Sequence, residues 1–237
     1  MKKLLRKYLQ RSHSFPWIAL RGNRYLTVRM DTTNRCNLRC SMCPMRLSDI
    51  DPDRKWTDIN PDLFSRIAEQ LFPVAEVVGL SCGAEPLMNP DFGKYLESLY
   101  NADVPVREIV TNGTLLNDAH IEMLLSAPPT SVFVSIDGAK PETHARIRDG
   151  ADLEHIILML GKLISARDAR KMKFPMVSFS VTLQKSNFAE LSDIIELASE
   201  TGAESVSTVP LVAYDGLGVA GETVDLSSSG MKEIISK

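Results

Sequence analysis

Cysteine is scarce in this chain: 237 residues hold four, and three of those crowd into residues 36–43. So few thiols, so placed, exclude a disulfide framework and suit a reducing cytoplasm. Long apolar runs are missing as well; none reaches the roughly 20 residues that span a membrane. The opening residues do not read as a signal peptide, because Lys and Arg interrupt their apolar stretch. No large excess of one charge is present: the net charge is −3, which argues against a general polyanion binder, nucleic acid included. No sequence repeat of about 20–50 residues is evident, so a solenoid is excluded. The four histidines, His13, His120, His144 and His155, show no ligand spacing and read as structural or solvated.

Acidic residues are absent from the first thirty positions, which carry Lys2, Lys3, Arg6, Lys7, Arg11, Arg21, Arg24 and Arg29. Leu4, Leu5, Tyr8 and Leu9 fall near helical spacing. Residues 1–25 therefore form a basic N-terminal segment, read as a short solvated helix covering an edge or the base of the fold. Contact with a membrane surface or an acidic partner is the alternative.

From residue 26 onward the chain alternates strand and helix. Strands are expected at Leu26–Met30, Glu76–Ser81, Val106–Thr111, Val132–Ile136, Val177–Leu183 and Ser205–Val209. Helices are expected from Asn60-Pro61 to Phe72, from Asn89-Pro90 to Tyr100 and from Asn117 to Ser126. Others are a short stretch from Pro141, one over Leu153–Asp168, and one from Asn187 or Phe188 to Thr201, where Gly202 stops it. Six βα units with short connections imply an α/β fold with parallel strands. Six is fewer than a closed eight-strand barrel needs. Residues 26–211 are read as the core. Residues 212–237 are read as the start of a last helix, at Asp225–Ser229, or of a truncated extension.

The densest signal is Cys36-Asn37-Leu38-Arg39-Cys40-Ser41-Met42-Cys43-Pro44, spaced C-x₃-C-x₂-C. Three thiolates on one loop can grip a small iron–sulfur cube, and a four-iron cluster normally takes four. Three leave one iron open, and an open metal position serves substrate or cofactor chemistry. A structural zinc knot is the alternative, but zinc prefers four ligands, and the only other cysteine is Cys82. Pro44 and the lack of periodicity favour a wrapped, non-helical loop. Arg35 and Arg39 either balance cluster charge or are solvated; solvation is the reading taken. Cys82 is read as a small buried hydrophobe, with a hydrogen-atom donor as the alternative.

Further motifs sit after successive strands: Cys82-Gly83-Ala84-Glu85-Pro86 after the second, Thr111-Asn112-Gly113 after the third, Ser135-Ile136-Asp137-Gly138 after the fourth. On a parallel barrel these strand ends carry the active site. Period-two alternation puts Ser135 and Asp137 on the same side of their strand, turned inward. There a hydroxyl and a carboxylate suit ribose hydroxyls or an ammonium.

With these motifs the chain resembles the radical SAM superfamily, from about Leu26 to Leu211, and looks closest to the branch that often carries a C-terminal SPASM extension. The resemblance implies a partial (βα)₆ TIM-like barrel, open on one side. It implies a [4Fe-4S] cluster on Cys36, Cys40 and Cys43, with S-adenosylmethionine on the open iron. Gly83, Ala84, Glu85 and Pro86 match the GGEP segment that binds the cofactor's amino group. Ala84 stands where Gly is usual, at a cost if that position needs φ > 0. Asn112 matches the TNG segment, as a cofactor contact or a loop-ordering residue. The run from Ser135 to Gly150 matches S-I-D-G…P-E-T…I-R-G-G, which makes Arg148 the partner of the cofactor carboxylate, with Arg146 as the alternative. Met42 stands where an aromatic residue often packs on adenine, or else fills the loop core. Pro210 and Leu211, with Val209, close the adenine end, and Asn187 matches a helix cap.

The activity implied is reductive cleavage of S-adenosylmethionine to a 5′-deoxyadenosyl radical that abstracts a hydrogen atom from the substrate. A one-electron donor such as flavodoxin or ferredoxin is implied, as is a peptide or small-molecule substrate in peptide modification or cofactor biosynthesis. No auxiliary cluster can be built, since Cys82 is the only cysteine to spare. A non-catalytic or truncated iron–sulfur module that recruits a substrate or partner is the competing reading, and Ala84 is a reason for it.

Overall fold

Short β-branched runs separated by helical stretches bury both faces of a parallel sheet. The computed structural model describes residues 24–48 and 55–225. The basic segment up to residue 23, and the helix start expected at 225–229 beyond Asp225, lie outside the described residues. Six strands form one sheet: β1 (Leu26–Arg29), β2 (Ala75–Gly79), β3 (Val106–Thr111), β4 (Ser131–Ser135), β5 (Met176–Leu183) and β6 (Ser205–Pro210). They lie in chain order and every pairing is parallel. The sheet curls into an open half-barrel, with β1 and β6 as its edges.

Eight α-helices connect or flank the strands among the described residues: α1 (Met45–Ser48), α2 (Pro61–Leu71), α3 (Phe92–Asn101), α4 (Asp118–Ser126), α5 (Pro141–Ile147), α6 (Leu153–Ala169), α7 (Lys185–Phe188) and α8 (Leu191–Thr201). Local chemistry sets their ends. The side chains of Asn60, Asn117 and Asp152 accept from backbone N–H groups of the first turns of α2, α4 and α6. Gly202 ends α8 at φ 87°, a conformation that suits glycine. The main core joins Val78, Ile109, Val134, Phe179 and Val181 of the strands to Phe64, Leu96, Leu124, Ile156 and Leu160 of the helices. Each such side chain contributes roughly 1.5–3 kcal/mol on burial.

Two helices depart from the sequence expectation. Asn89-Pro90 does not open α3, because Asn89 bridges loops: its Nδ2 donates to Thr32 O (2.6 Å) and its Oδ1 accepts from Asp91 N (2.9 Å). A 3₁₀ turn over Pro86–Met88 precedes it. The helix expected from Asn187 is split into α7 and α8. Asn187 is more than a cap: its buried Nδ2 donates to Asp137 O and Thr182 O, both 3.0 Å, joining the ends of β4 and β5.

Candidate active site

The loop from β1 to α1 carries the three cysteines. Cys40 is buried, while Cys36 and Cys43 are half-buried. The loop follows an irregular path until α1, and neighbours hold it: Arg39 N donates to Asp149 O (3.1 Å) and Ser41 N to Ile147 O (2.8 Å). Arg35 is not the solvated residue expected. Its guanidinium pairs with Asp58 (Nη2–Oδ1 2.7 Å) and donates to Met88 O (2.9 Å), bracing the base of the loop. Arg39 is exposed. Leu38, Cys40, Met42, Ile147, Leu211 and Val219 make a second, smaller apolar cluster around the loop.

Burial pushes Cys40 up to about 11, against the pull of Arg148, and raises Cys36 as well. Metal binding therefore displaces protons. Among the described residues no three His, Cys, Asp or Glu side chains are grouped to hold a single ion. A four-iron cube takes each thiolate on a different iron, so three sulfurs around one cavity suit it better than they suit zinc.

Opposite the cysteines lies the Cys82–Glu85 turn. Cys82 is exposed, not the buried hydrophobe expected. Ala84 is not in the left-handed region, where among the described non-glycine residues only Asp103 and Lys171 lie. A methyl group at position 84 thus brings no backbone strain, and Ala84 no longer argues for a non-catalytic module. Glu85 is 1% exposed and fully engaged: Oε1 accepts from Thr111 Oγ1 (2.7 Å) and Leu87 N (3.2 Å), and Oε2 from Asn112 N (2.7 Å). Burial raises its pKa, and the bonds from Asn112 and Thr111 oppose the rise. Pro86 is buried in the 3₁₀ turn behind the cavity and does not line it. Of the two roles expected for Asn112, the hydrogen bonds bear on loop ordering. Its Oδ1 accepts from Thr114 N (2.9 Å), ordering the turn, and its Nδ2 donates to Asn37 Oδ1 (2.9 Å) and reaches Cys36 Sγ (3.8 Å).

The end of β4 divides the two residues expected to act together. Ser135 lines the cavity, but Asp137 does not. The strand stops at Ser135, so alternation no longer governs Asp137. Its Oδ1 accepts from Thr182 N (2.6 Å) and its Oδ2 forms an ion pair with Arg148 Nε (2.7 Å). The carboxylate thus supports Arg148 from beneath. Burial pushes Asp137 up and Arg148 holds it down. Burial works against the charge of Arg148, yet Asp137 and Cys40 keep its pKa raised. Arg148 faces the cavity, its Nη1 lies 3.8 Å from Cys40 Sγ, and its Nη2 donates to no acceptor among the described residues. Arg146 is exposed and turns to Ser186 O instead. His144 is structural, as expected: its Nδ1 accepts from Asp137 N (3.2 Å).

All these elements enclose one cavity of about 390 Å³ at the C-terminal ends of the strands, a volume within the range of small-ligand sites. Cys36, Cys40, Cys43, Met42, Gly83, Ala84, Glu85, Asn112, Ser135, Arg148, Pro210 and Leu211 line it. Cys82, Thr111, Thr182, Val212 and Tyr214 also line it, and Asp31, just behind the Cys82–Glu85 turn, makes contacts that sequence reasoning missed. Asp31 left only one trace in the sequence: a charge directly after an apolar strand.

A family model described as the radical SAM superfamily matches residues 30–198. The chain belongs to the radical SAM superfamily. The superfamily works with a [4Fe-4S] cluster and S-adenosylmethionine. The probable GTP 3′,8-cyclase of Methanocaldococcus jannaschii is 27% identical over 192 residues, covering 80% of this chain and 61% of the relative. The AdoMet-dependent heme synthase of Methanosarcina barkeri is 31% identical over 179 residues, covering 74% and 48%. Among solved structures, Streptococcus suis SuiB bound to S-adenosylmethionine matches with a TM-score of 0.73 at 15% identity, covering 90% of this chain and 47% of that one; this likeness is one of fold. The chain spans about half to three fifths of the length of these relatives. Among the described residues no helix is long and apolar enough to cross a membrane.

Proposed function

We propose that residues 26–211 are the catalytic core of a radical enzyme that cleaves S-adenosylmethionine reductively and abstracts a hydrogen atom from a peptide or small molecule. The carrying observation is that the three cysteines share one cavity with the Gly83–Glu85 turn, Asn112 and Arg148. When bound, the cluster and S-adenosylmethionine supply the electron transfer and the hydrogen-abstracting carbon radical. Cys36, Cys40 and Cys43 would hold three irons. Arg148, fixed by Asp137 beneath it, would bind the methionyl carboxylate through its remaining N–H donors. The Cys82–Glu85 turn would take the amino group and Ser135 a ribose hydroxyl. Met42, Pro210 and Leu211 would pack on adenine. The apolar walls exclude water from the reacting carbon.

A one-electron donor of the flavodoxin or ferredoxin kind and a reducing cytoplasm complete this reading, which places the chain in the SPASM-associated branch. Its support is the C-x₃-C-x₂-C loop together with the run from Ser135 to Gly150. The test is anaerobic. Protein reconstituted with iron and sulfide, reduced by dithionite and given S-adenosylmethionine is expected to form 5′-deoxyadenosine. Cys40→Ala should form none. A brown cluster without product would overturn catalysis, and failure to form a cluster would overturn the site itself.

A further inference from the structure

Three successive N–H groups of the Cys82–Glu85 turn converge on one carboxylate. Asp31 Oδ1 accepts from Cys82 N (2.7 Å), Gly83 N (3.1 Å) and Ala84 N (3.3 Å), and Oδ2 also accepts from Gly83 N (3.2 Å). Glu85 N donates to Arg35 O (2.9 Å). Successive backbone N–H groups converging on one carboxylate make an anion nest, and here the chain fills the nest itself. In a trans peptide the C=O points opposite to the N–H of the same unit. Holding the N–H groups of Gly83 and Ala84 on Asp31 therefore turns the carbonyls of Cys82 and Gly83 away from it. No donor of the described residues reaches these two carbonyls, and both residues line the cavity.

Packing does not account for Asp31, whose side chain is exposed rather than part of either apolar cluster. We propose that Asp31 is a positioning residue that fixes this turn as a carbonyl ridge for a primary ammonium ligand. The proposal rests on the functional reading above, in which that ammonium is the amino group of S-adenosylmethionine. The carboxylate acts in two ways. It locks the peptide units of both carbonyls in one orientation before the ligand arrives. It also polarises them, because a peptide whose N–H donates to an anion carries a more negative oxygen.

The test compares wild type, Asp31→Ala and Asp31→Asn, all reconstituted with the cluster, for affinity towards S-adenosylmethionine and towards 5′-deoxyadenosine. The second ligand shares the nucleoside but lacks the methionyl ammonium. Asp31→Ala is expected to weaken S-adenosylmethionine binding about tenfold or more, the scale of charge-assisted hydrogen bonds. It should leave 5′-deoxyadenosine affinity and iron content unchanged. Amide exchange at residues 82–84 should speed up in the variant before any ligand is added. Asp31→Asn keeps one acceptor oxygen but turns an NH₂ towards Gly83, so its effect should be intermediate, and it decides the matter if the alanine variant does not fold. Equal losses for both ligands would reduce Asp31 to a general structural role and overturn the proposal, as would wild-type S-adenosylmethionine affinity in Asp31→Ala. If the wild type itself fails to bind S-adenosylmethionine, the functional reading falls, and this inference with it.

Discussion

Arg148 shows how a single side chain is made ready for a ligand. A guanidinium beside a cavity wall is costly to bury without a counter-charge. Asp137, itself fully buried and held by Thr182 N, supplies that charge. Arg148→Met should therefore destabilise the protein by about 3–5 kcal/mol in denaturant unfolding, the usual cost of stranding a buried partner. Adding Asp137→Asn should recover part of the loss; additive losses would show that the two residues do not act as a pair. His144, below them, is kept neutral: burial, and then the charge of Arg148, hold its pKa at about 4. The unfolded chain would take up that proton near the ordinary value of 6.5, so His144 reduces stability as pH falls from about 6.5 towards 4. The raised carboxyls of Glu85 and Asp137 act in the opposite sense. A comparison with His144→Gln isolates the imidazole: the variant should lose less unfolding free energy than wild type between pH 7 and pH 5. Parallel losses would disprove this account.

At the scale of elements, the site is a set of strand ends tied to loops by side chains. Arg35 is the tie for the cysteine loop, reaching Asp58 and Met88 O. Arg35→Ala should speed iron loss from the reconstituted protein under a chelator while leaving helix content unchanged by circular dichroism; wild-type release would show the loop to be held by its apolar cluster alone. Gly138 marks where β4 hands over to α5. A Cβ there would stand 2.6 Å from His144 N, a backbone atom that cannot step aside. Gly138→Ala should cost about 1–3 kcal/mol of stability through overpacking, measured by thermal unfolding. Strand positions were legible from β-branched runs and helix starts from Asn60 and Asn117. Asn89 misled because an Asn that caps a helix and one that bridges two loops look alike in sequence, and Asn187 does both.

Over the whole molecule, two apolar clusters divide the labour. The large one joins sheet and helices; the small one surrounds the cysteine loop. None of the cysteines belongs to the large cluster. Stripping the iron should therefore lower the thermal midpoint of the reconstituted protein while leaving a cooperative transition and native circular dichroism, and a loss of cooperativity would show the metal to be part of the core. The periodic strand and helix pattern, the short connections and the C-x₃-C-x₂-C spacing together determined the parallel fold, the end of the sheet at which the motifs gather, and the three cysteines proposed to hold the cluster. These are local properties, carried by neighbours in sequence. The duties of Asp31, Arg35, Asp137 and Asn187 were decided only by the tertiary structure. Each meets a partner 23 to 53 residues away or turns on where a strand stops, and no sequence spacing encodes which of a polar residue's possible partners the folded chain will bring within reach.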